Sequence, residues 1–384
     1  MRIYDMDNRC YRDIEEVKNP TSKVEQLSQA LYCFENDIFD VIYDKSQPAL
    51  VKYIDSLGIE NLYQDGMQFL YFTSGTTGLP TGVYKTKENS LAQSAALIKT
   101  LGTRKFNRVV TTVPFVHIYG VDIGAVVPKD LDIDVWTKEN FLPQELAVEA
   151  QKEGTLVVTT PVFIKALNRL HVDMKFSGSF FLTSTAPLPQ EDGKLFREKY
   201  DSSVSQLFAS TETGLMGHKT DDEGILRVYD GVSIDQKYDM LRVSSPFLTQ
   251  KILNDGVVED VVPPFQTEDI VEILNDKEFK LLGRSSNLAK IAGKRISTQQ
   301  IEGIVESMPG IESAYIKIRR DDRALKDEIL DIYVESEHGL DAKVFRAKLK
   351  ENFGSMNIAF KIFNGVKIIR SSVGKKIGFK KIGE

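Results

Sequence analysis

Tyr71-Phe72-Thr73-Ser74-Gly75-Thr76-Thr77-Gly78-Leu79-Pro80-Thr81-Gly82-Val83 is a run of glycines and small hydroxylated residues entered from an aromatic, β-rich segment. Its chemistry suits phosphate. Glycines let the main chain approach an anion closely and expose N–H groups, and the hydroxyls of Thr73, Ser74, Thr76 and Thr77 add donors around it. No Gly-Lys-Ser/Thr closes the run, so it is not a Walker A loop. Read alone, a Gly/Ser-rich stretch is more often an ordinary flexible loop, and its surroundings must decide.

The chain has 384 residues, 42% hydrophobic and 27% charged, which is the composition of a soluble globular protein with room for two or three subdomains. A net charge of -6 and a pI near 5.5 argue against general nucleic-acid binding, which needs a basic surface. Met1 to Asp7 lacks the apolar core of a signal peptide, and no run approaches the ~18 apolar residues of a membrane span. A cytoplasmic protein is expected. Cys10 and Cys33 have no zinc-site spacing and imply no disulfide framework.

Helical and strand patterns alternate outward from the loop. Leu91, Ala95, Leu97, Ile98 and Leu101 give Glu88 to Leu101 a helical period, and Arg108 to Val113 is β-rich. Strands at Leu156 to Thr159, Phe180 to Thr183 and Val204 to Phe208 follow, with a helix at Val162 to Leu170 between them, so the fold class is α/β. Ile225 to Val243 reads as strands without helices, and Ile270 to Leu282 as a hairpin. After the polar Gly283 to Asn287, a unit of α+β pattern begins with a helix whose Ser297-Thr298-Gln299-Gln300 fits a capping box. Ahead of the loop, Val24 to Ile42 and Leu50 to Leu57 read as helices.

Further blocks carry groups capable of chemistry. Thr112-Val113-Pro114-Phe115-Val116-His117-Ile118-Tyr119-Gly120 holds a histidine that periodicity alone would leave in the core, with Asp122 just downstream. Ser184-Thr185-Ala186-Pro187-Leu188 is a turn. Phe208-Ala209-Ser210-Thr211-Glu212-Thr213-Gly214 offers a hydroxyl and a carboxylate suited to a phosphate and to Mg2+, although an isolated Thr-Glu pair is usually a helix cap. Thr267-Glu268-Asp269 and the stretch from Gly283-Arg284 through Ala292-Gly293-Lys294-Arg295 follow. Arg370-Ser371-Ser372-Val373-Gly374-Lys375 lies among the basic residues between Lys361 and Lys381, a run that otherwise reads as a solvated face.

In this order, and with the loop, the blocks resemble the signature motifs of the adenylate-forming superfamily: acyl- and aryl-CoA ligases, nonribosomal peptide adenylation domains and firefly-type luciferases. The resemblance implies an adenylate-forming enzyme fold, with a large N-terminal α/β adenylation domain at residues 1–284, shortened at its front, and a small mobile α+β lid at residues 285–384, hinged near Ser286. It implies ATP and Mg2+ as cofactors, a small carboxylic acid as substrate, and CoA or the phosphopantetheine of a carrier protein as thiol acceptor.

The roles it implies are these. Thr73, Ser74, Gly75, Thr76, Thr77 and Gly78 cradle phosphates, His117 closes the carboxylate pocket, and Ser184, Thr185, Ala186, Phe208 and Ala209 flank adenine. Thr211 bonds the α-phosphate, Glu212 holds the metal, Asp269 accepts from the ribose hydroxyls, and Arg284 reaches ribose or α-phosphate. Gly293 lines the acceptor channel, and Lys375 stabilises the charge developing between attacking carboxylate and phosphorus. Departures from the pattern are Thr81 for a usual lysine, Ser184 and Thr185 for glycines, Glu268 for glycine and Ile369 for proline. Thr81, Glu268 and the short front keep open a catalytically weakened nucleotide-binding module. Asp122 keeps open an amino-acid adenylation enzyme, and a luciferase-like oxidase is the fourth reading.

Overall fold

The computed structural model describes residues 1–73, 80–285, 288–291, 294–319, 328–353, 359–371, 374 and 376–382; of residues 288–291, 294–296 and 353 only the backbone is considered. The chain forms two compact units, one of residues 1–235, 242–265 and 274–279, the other of residues 236–241, 266–273 and 280–384.

The first unit is built on a twisted sheet whose middle is a run of parallel strands in the order Ser203–Ser210, Ser179–Thr183, Thr155–Thr159, Arg108–Thr111, Asp134–Thr137 and Ile3–Asp5. Such strands are buried on both faces and read as continuous apolar or β-branched runs. All residues of Arg108–Thr111, Thr155–Thr159 and Ser179–Thr183 are buried, as this arrangement requires. Helices Pro161–Arg169 and Gln190–Tyr200 cover one face through Ile164, Leu167, Phe196 and Tyr200, which pack with Phe176 and Phe181 in a single apolar cluster. The chain reverses direction across the sheet after Arg108–Thr111: the next strand, Asp134–Thr137, lies on one side of it and the one after, Thr155–Thr159, on the other. In open α/β sheets a reversal of this kind opens a crevice at the carboxyl ends of the strands.

A second sheet of the same unit has the order Val257–Asp260, Lys251–Asn254, Thr81–Lys85, Phe69–Thr73 and Asp40–Ile42. Phe69–Thr73 and Thr81–Lys85 are antiparallel, and their last pair, Thr73 opposite Thr81, brackets the phosphate-type loop. The front of the chain differs from the helix expected over Val24 to Ile42. The helix runs Lys23–Glu35, Asn36 and Asp37 end it with Asp37 at φ 56, and Asp40–Ile42 joins the sheet.

The helix Lys87–Leu101 forms as its pattern predicts, with Leu97 and Leu101 buried, but its inward face is shifted toward polar positions. Leu91 is 39% exposed and Ala95 is also exposed, whereas Asn89, Ser90, Gln93 and Ser94 are buried. The reason is chemical for Asn89, Ser90 and Gln93, whose side chains bond buried groups of neighbouring segments.

In the second unit, strands Ile311–Arg319, Ile329–Ser336 and Phe360–Asn364 form a sheet with helices Thr298–Glu306 and Ala342–Phe353 beside it. Ile301, Val305, Ile316, Ile332 and Phe345 share its core. The C-terminal hairpin Val366–Arg370 and Lys376–Lys381 is pinned by Phe379, whose ring stacks on Tyr333 at 3.6 Å. The helix at Thr298 begins at Ser297 as expected, but no side-chain cap bond forms, and Ser297 Oγ is buried without a partner among the described residues.

Candidate active site

Each block singled out in the first unit's main sheet lies at the carboxyl end of a parallel strand. The His117 block follows Arg108–Thr111, Ser184 to Leu188 follows Ser179–Thr183, and Phe208 to Gly214 ends Ser203–Ser210. Convergence at one edge of the sheet follows from the topology.

The His117 block turns directly into a π-helix, Tyr119–Val126, at the point of reversal. A Cβ on Gly120 would stand 2.1 Å from the Pro114 carbonyl oxygen, so only glycine lets this helix fold back on the loop that precedes it. The Tyr119 hydroxyl lies 2.9 Å from the Thr159 carbonyl and 3.0 Å from that of Leu182, tying the block to the ends of two adjacent strands. From the front of the chain, Lys23 Nζ donates to the Thr112 carbonyl at 3.0 Å. His117 itself is half-buried; burial pushes its pKa below the ordinary 6.5 and the nearby Asp44 carboxylate opposes that shift. A neutral imidazole can donate one hydrogen bond and accept another without adding charge.

The turn after Ser179–Thr183 carries a strained residue. Thr185 has φ 80, a left-handed conformation that a β-branched side chain rarely adopts. Glycine would sit there at no steric cost, so the backbone has kept the shape that a glycine would give while the side chain has changed. Ser184 Oγ donates to the Leu207 carbonyl at 3.0 Å and Gln206 Nε2 to the Ala186 carbonyl at 3.3 Å, locking this turn against Ser203–Ser210.

At the end of Ser203–Ser210 the pairing with Gly214–Thr220 slips by one residue between Phe208 and Ala209. A bulge of this sort re-aims the side chains after it. Phe208 remains half-buried with its ring 5.7 Å from that of Phe279, and Ala209 is exposed. The connection Ser210 to Gly214 is closed by Thr213 N donating to Ser210 Oγ at 3.1 Å and by Gly214 at φ 69. A Cβ on Gly214 would lie 2.5 Å from Gln93 Oε1. Thr211 and Glu212 sit at the tip, both half-buried. The Glu212 carbonyl accepts from Thr249 N at 2.8 Å and Lys85 Nζ at 3.0 Å, while its carboxylate takes no hydrogen bond from the described residues. A half-exposed carboxylate held by its own backbone fits a Mg2+ ligand. Among the described residues no three His, Cys, Asp or Glu side chains form a metal cage, and Mg2+ commonly takes one or two carboxylates and completes its shell with phosphate and water.

Thr81, where the related pattern has lysine, donates through Oγ1 to Asn254 Oδ1 at 3.1 Å, so its side chain is engaged in the second sheet. Thr73 Oγ1 lies 3.4 Å from the Thr81 carbonyl. Ser74, Gly75, Thr76, Thr77 and Gly78 lie outside the described residues, as do Ser286, Gly293 and Lys375.

Asp269 and Arg284 belong to the second unit, where the fold brings them together. Arg284 Nε is 3.3 Å from Asp269 Oδ1, within ion-pair range but out of line for a hydrogen bond. Glu268 Oε2 is 3.9 Å from the same guanidinium, which gives the residue in place of a usual glycine a share in holding Arg284. Beside the position of Lys375, Lys376 Nζ is bound by Glu302 at 2.7 Å and Glu306 at 2.6 Å. Arg370 donates to the Gly374 carbonyl and to Ser313. This end of the chain is therefore not simply a solvated basic face.

Asp122 is not available to pair a substrate ammonium. It is 3% exposed and accepts from Ser90 Oγ at 3.0 Å and Gln93 Nε2 at 2.6 Å. Sequence reasoning missed Lys85, Gln93 and Asp44, because a lysine at a strand end and polar residues on a helix read as solvent-facing. The one available signal was the concentration of uncharged polar residues from Asn89 to Ser94 along one side of the helix.

The model of the AMP-binding enzyme family matches residues 14–234, more than half of the chain. A 2-succinylbenzoate–CoA ligase of Listeria monocytogenes is 24% identical over 326 residues, covering 79% of this chain and 67% of the relative. A 4-coumarate–CoA ligase of Cereibacter sphaeroides is 25% identical over 67% of this chain and 58% of its own, and a sulfoacetate–CoA ligase of Cupriavidus necator is 27% identical over 39% and 30%. The chain thus spans between about a third and somewhat over half of several of these relatives. Among solved structures, o-succinylbenzoate CoA synthetase (MenE) from Bacillus subtilis in complex with the acyl-adenylate intermediate OSB-AMP superposes with a TM-score of 0.79 at 17% identity, covering 97% of this chain and 86% of that one. ATP-bound MatB from Rhodopseudomonas palustris gives 0.69 at 18% identity, over 82% and 67%. These likenesses show a shared fold, and with the family match over residues 14–234 they establish that the chain belongs to the AMP-binding, adenylate-forming enzymes.

Proposed function

We propose that the protein activates a small carboxylic acid with ATP and transfers the acyl group to the thiol of CoA. The observation that carries this reading is the Ser210 to Gly214 connection, which presents Thr211 and a carboxylate without internal donors at the carboxyl edge of the sheet. In the first step a carboxylate oxygen of the substrate attacks the α-phosphorus of ATP, the bond to the β-phosphate oxygen breaks, and pyrophosphate leaves. In the second the thiolate sulfur attacks the acyl carbon and AMP departs with the anhydride oxygen. Such transfers are accelerated chiefly by positioning and charge stabilisation.

His117 orients the substrate carboxylate, Thr211 bonds the α-phosphate, and Phe208, Ser184, Thr185, Ala186 and Ala209 receive adenine. Glu212 would hold Mg2+, which supplies charge neutralisation on the phosphates. Thr73 to Gly78 bind the phosphate chain, Asp269 and Arg284 the ribose side, and Lys375 the charge growing at phosphorus. Residues 285–384 act as the lid, with Gly293 beside the acceptor thiol. The relatives that are CoA ligases support this assignment. We infer a cytoplasmic enzyme; no helix among the described residues is long and apolar enough to cross a membrane.

Carboxylate-dependent exchange of labelled pyrophosphate into ATP tests the reading, across aryl, short-chain, medium-chain and amino acids. Exchange with one class, abolished by Lys375→Ala and shifted to higher Mg2+ by Glu212→Gln, is expected, with AMP release stimulated by CoA. A carrier protein as acceptor would show exchange without CoA stimulation. The engaged Thr81 and the strained Thr185 favour one second reading, a nucleotide-binding module without turnover. ATP binding with no exchange across the panel would assign the chain to it.

A further inference from the structure

Behind Glu212 lies a buried group of charges that the chemistry above does not use. Lys85 is 1% exposed, an unusual place for an ammonium, and its Nζ donates to the Glu212 carbonyl at 3.0 Å and to that of Phe247. Asp122, 3% exposed, supplies the counter-charge. Gln93 links this group to the other end of the same connection: its Nε2 donates to Asp122 at 2.6 Å and its Oε1 accepts from Leu215 N at 2.7 Å. Glu212 at the tip and Leu215 just beyond the connection are thus tied to one polar cluster from the second sheet, the helix Lys87–Leu101 and the π-helix.

Burying such a pair is costly, and apolar residues of similar volume often give equal or greater stability. Stability alone is therefore a weak reason for its presence. Fixing a main-chain carbonyl is a better one. An ammonium fills the geometry of two converging carbonyls that no apolar side chain could satisfy, and residues that support a metal ligand govern how well it binds.

We propose that Lys85 is a positioning residue for Glu212, clamping the Glu212 and Phe247 carbonyls so that the Glu212 carboxylate is held ready for the Mg2+ of Mg·ATP. The inference rests on the metal role proposed for Glu212. Removing the clamp should leave nucleotide contacts intact and loosen only the metal-bearing carboxylate.

The test uses the full chain. Lys85→Met/Asp122→Asn removes both buried charges together, so that neither is left unpaired, and Lys85→Gln/Asp122→Asn is the second variant should the first not fold. Folding is checked by Trp136 fluorescence. Isothermal titration with ATP alone and with Mg·ATP is the primary readout, and the Mg2+ concentration for half-maximal pyrophosphate exchange is the second. Metal-free ATP affinity is expected to stay within about two-fold, while Mg·ATP affinity falls and the Mg2+ requirement rises by about 10- to 100-fold, the range for residues that support a metal ligand. Asp122→Asn alone lowers stability by leaving the buried Lys85 ammonium without its counter-charge, but it keeps the Lys85 donors on both carbonyls, so the Mg2+ requirement of the folded protein should stay near wild type. A folded double variant with wild-type Mg·ATP affinity overturns the proposal, as does equal loss for ATP with and without metal, or an Asp122→Asn effect as large as the double. Glu212→Gln is run alongside: if it leaves the Mg2+ requirement unchanged, the metal role itself fails, independently of Lys85.

Discussion

Thr185 allows a sharp test of how the turn after Ser179–Thr183 is built. Nine non-glycine residues among the described ones have positive φ; six are aspartates, which tolerate it, and Thr185 is the β-branched one. We compare Thr185→Ala with Thr185→Gly, because both lack the hydroxyl and differ only in the Cβ that φ 80 penalises. The left-handed conformation costs an L-residue about 1–2 kcal/mol. Glycine gives back about 0.5–1 kcal/mol through the freedom of its unfolded chain. The balance puts Thr185→Gly ahead of Thr185→Ala by about 0.5–1 kcal/mol, the reverse of the usual order in regular structure. Urea unfolding read through Trp136, the single tryptophan, reports on the same sheet because Trp136 lies in Asp134–Thr137. With a slope near ~3 kcal/mol per molar for a domain of this size, the midpoints should differ by about 0.2–0.3 M. Equal midpoints, or Ala the more stable, would refute the claim that this backbone is held in a glycine conformation.

Two further outcomes separate structure from chemistry elsewhere. Lys376→Ala should destabilise the second unit by about 1.5–3 kcal/mol, since it removes the ammonium shared by Glu302 and Glu306 and leaves them the donors of Ile316, Ser313 and Ala314. Lys375→Ala should instead abolish adenylate formation at unchanged stability, and the opposite pattern in thermal melts and exchange assays would reverse the two assignments. For His117 the sign is set by its lowered pKa. Between its folded value and 6.5 the unfolded chain binds the extra proton, so stability rises with pH through that window and is lost as pH falls through it. His117→Gln should therefore remove this rise from the dependence of the urea midpoint on pH below 6.5, leaving the like-signed contribution of His218, which burial also lowers, and the opposite one of Asp40 and Asp122, which burial raises to about 6. An unchanged slope would show that His117 is as free to protonate as in the unfolded chain.

The motif order was legible without coordinates because adenylate chemistry needs particular groups in local runs, and local runs survive in sequence. So was the α/β alternation, since fully buried strands leave unbroken apolar stretches such as Leu156 to Val158; that the strands run parallel was not legible. Amphipathicity was half right at Lys87–Leu101: Leu97 and Leu101 are buried as apolar positions should be, but Leu91 and Ala95 are exposed and Asn89, Ser90 and Gln93 take inward places because they have partners distant in sequence. Asp122 looked from its position like a group that could meet a substrate amine, and packing made it a counter-charge in the core.

The sequence by itself determined which chemical groups the site can draw on and in which strands they sit, since hydroxyls, glycines and a carboxylate are properties of residues. Only the tertiary structure decided what holds them. Lys85 and Glu212 stand 127 positions apart and Gln93 and Leu215 stand 122 apart, and each pair is joined by a hydrogen bond that no periodicity encodes. The physical reason is that a buried polar group is defined by its partner, and the partner is chosen by the fold.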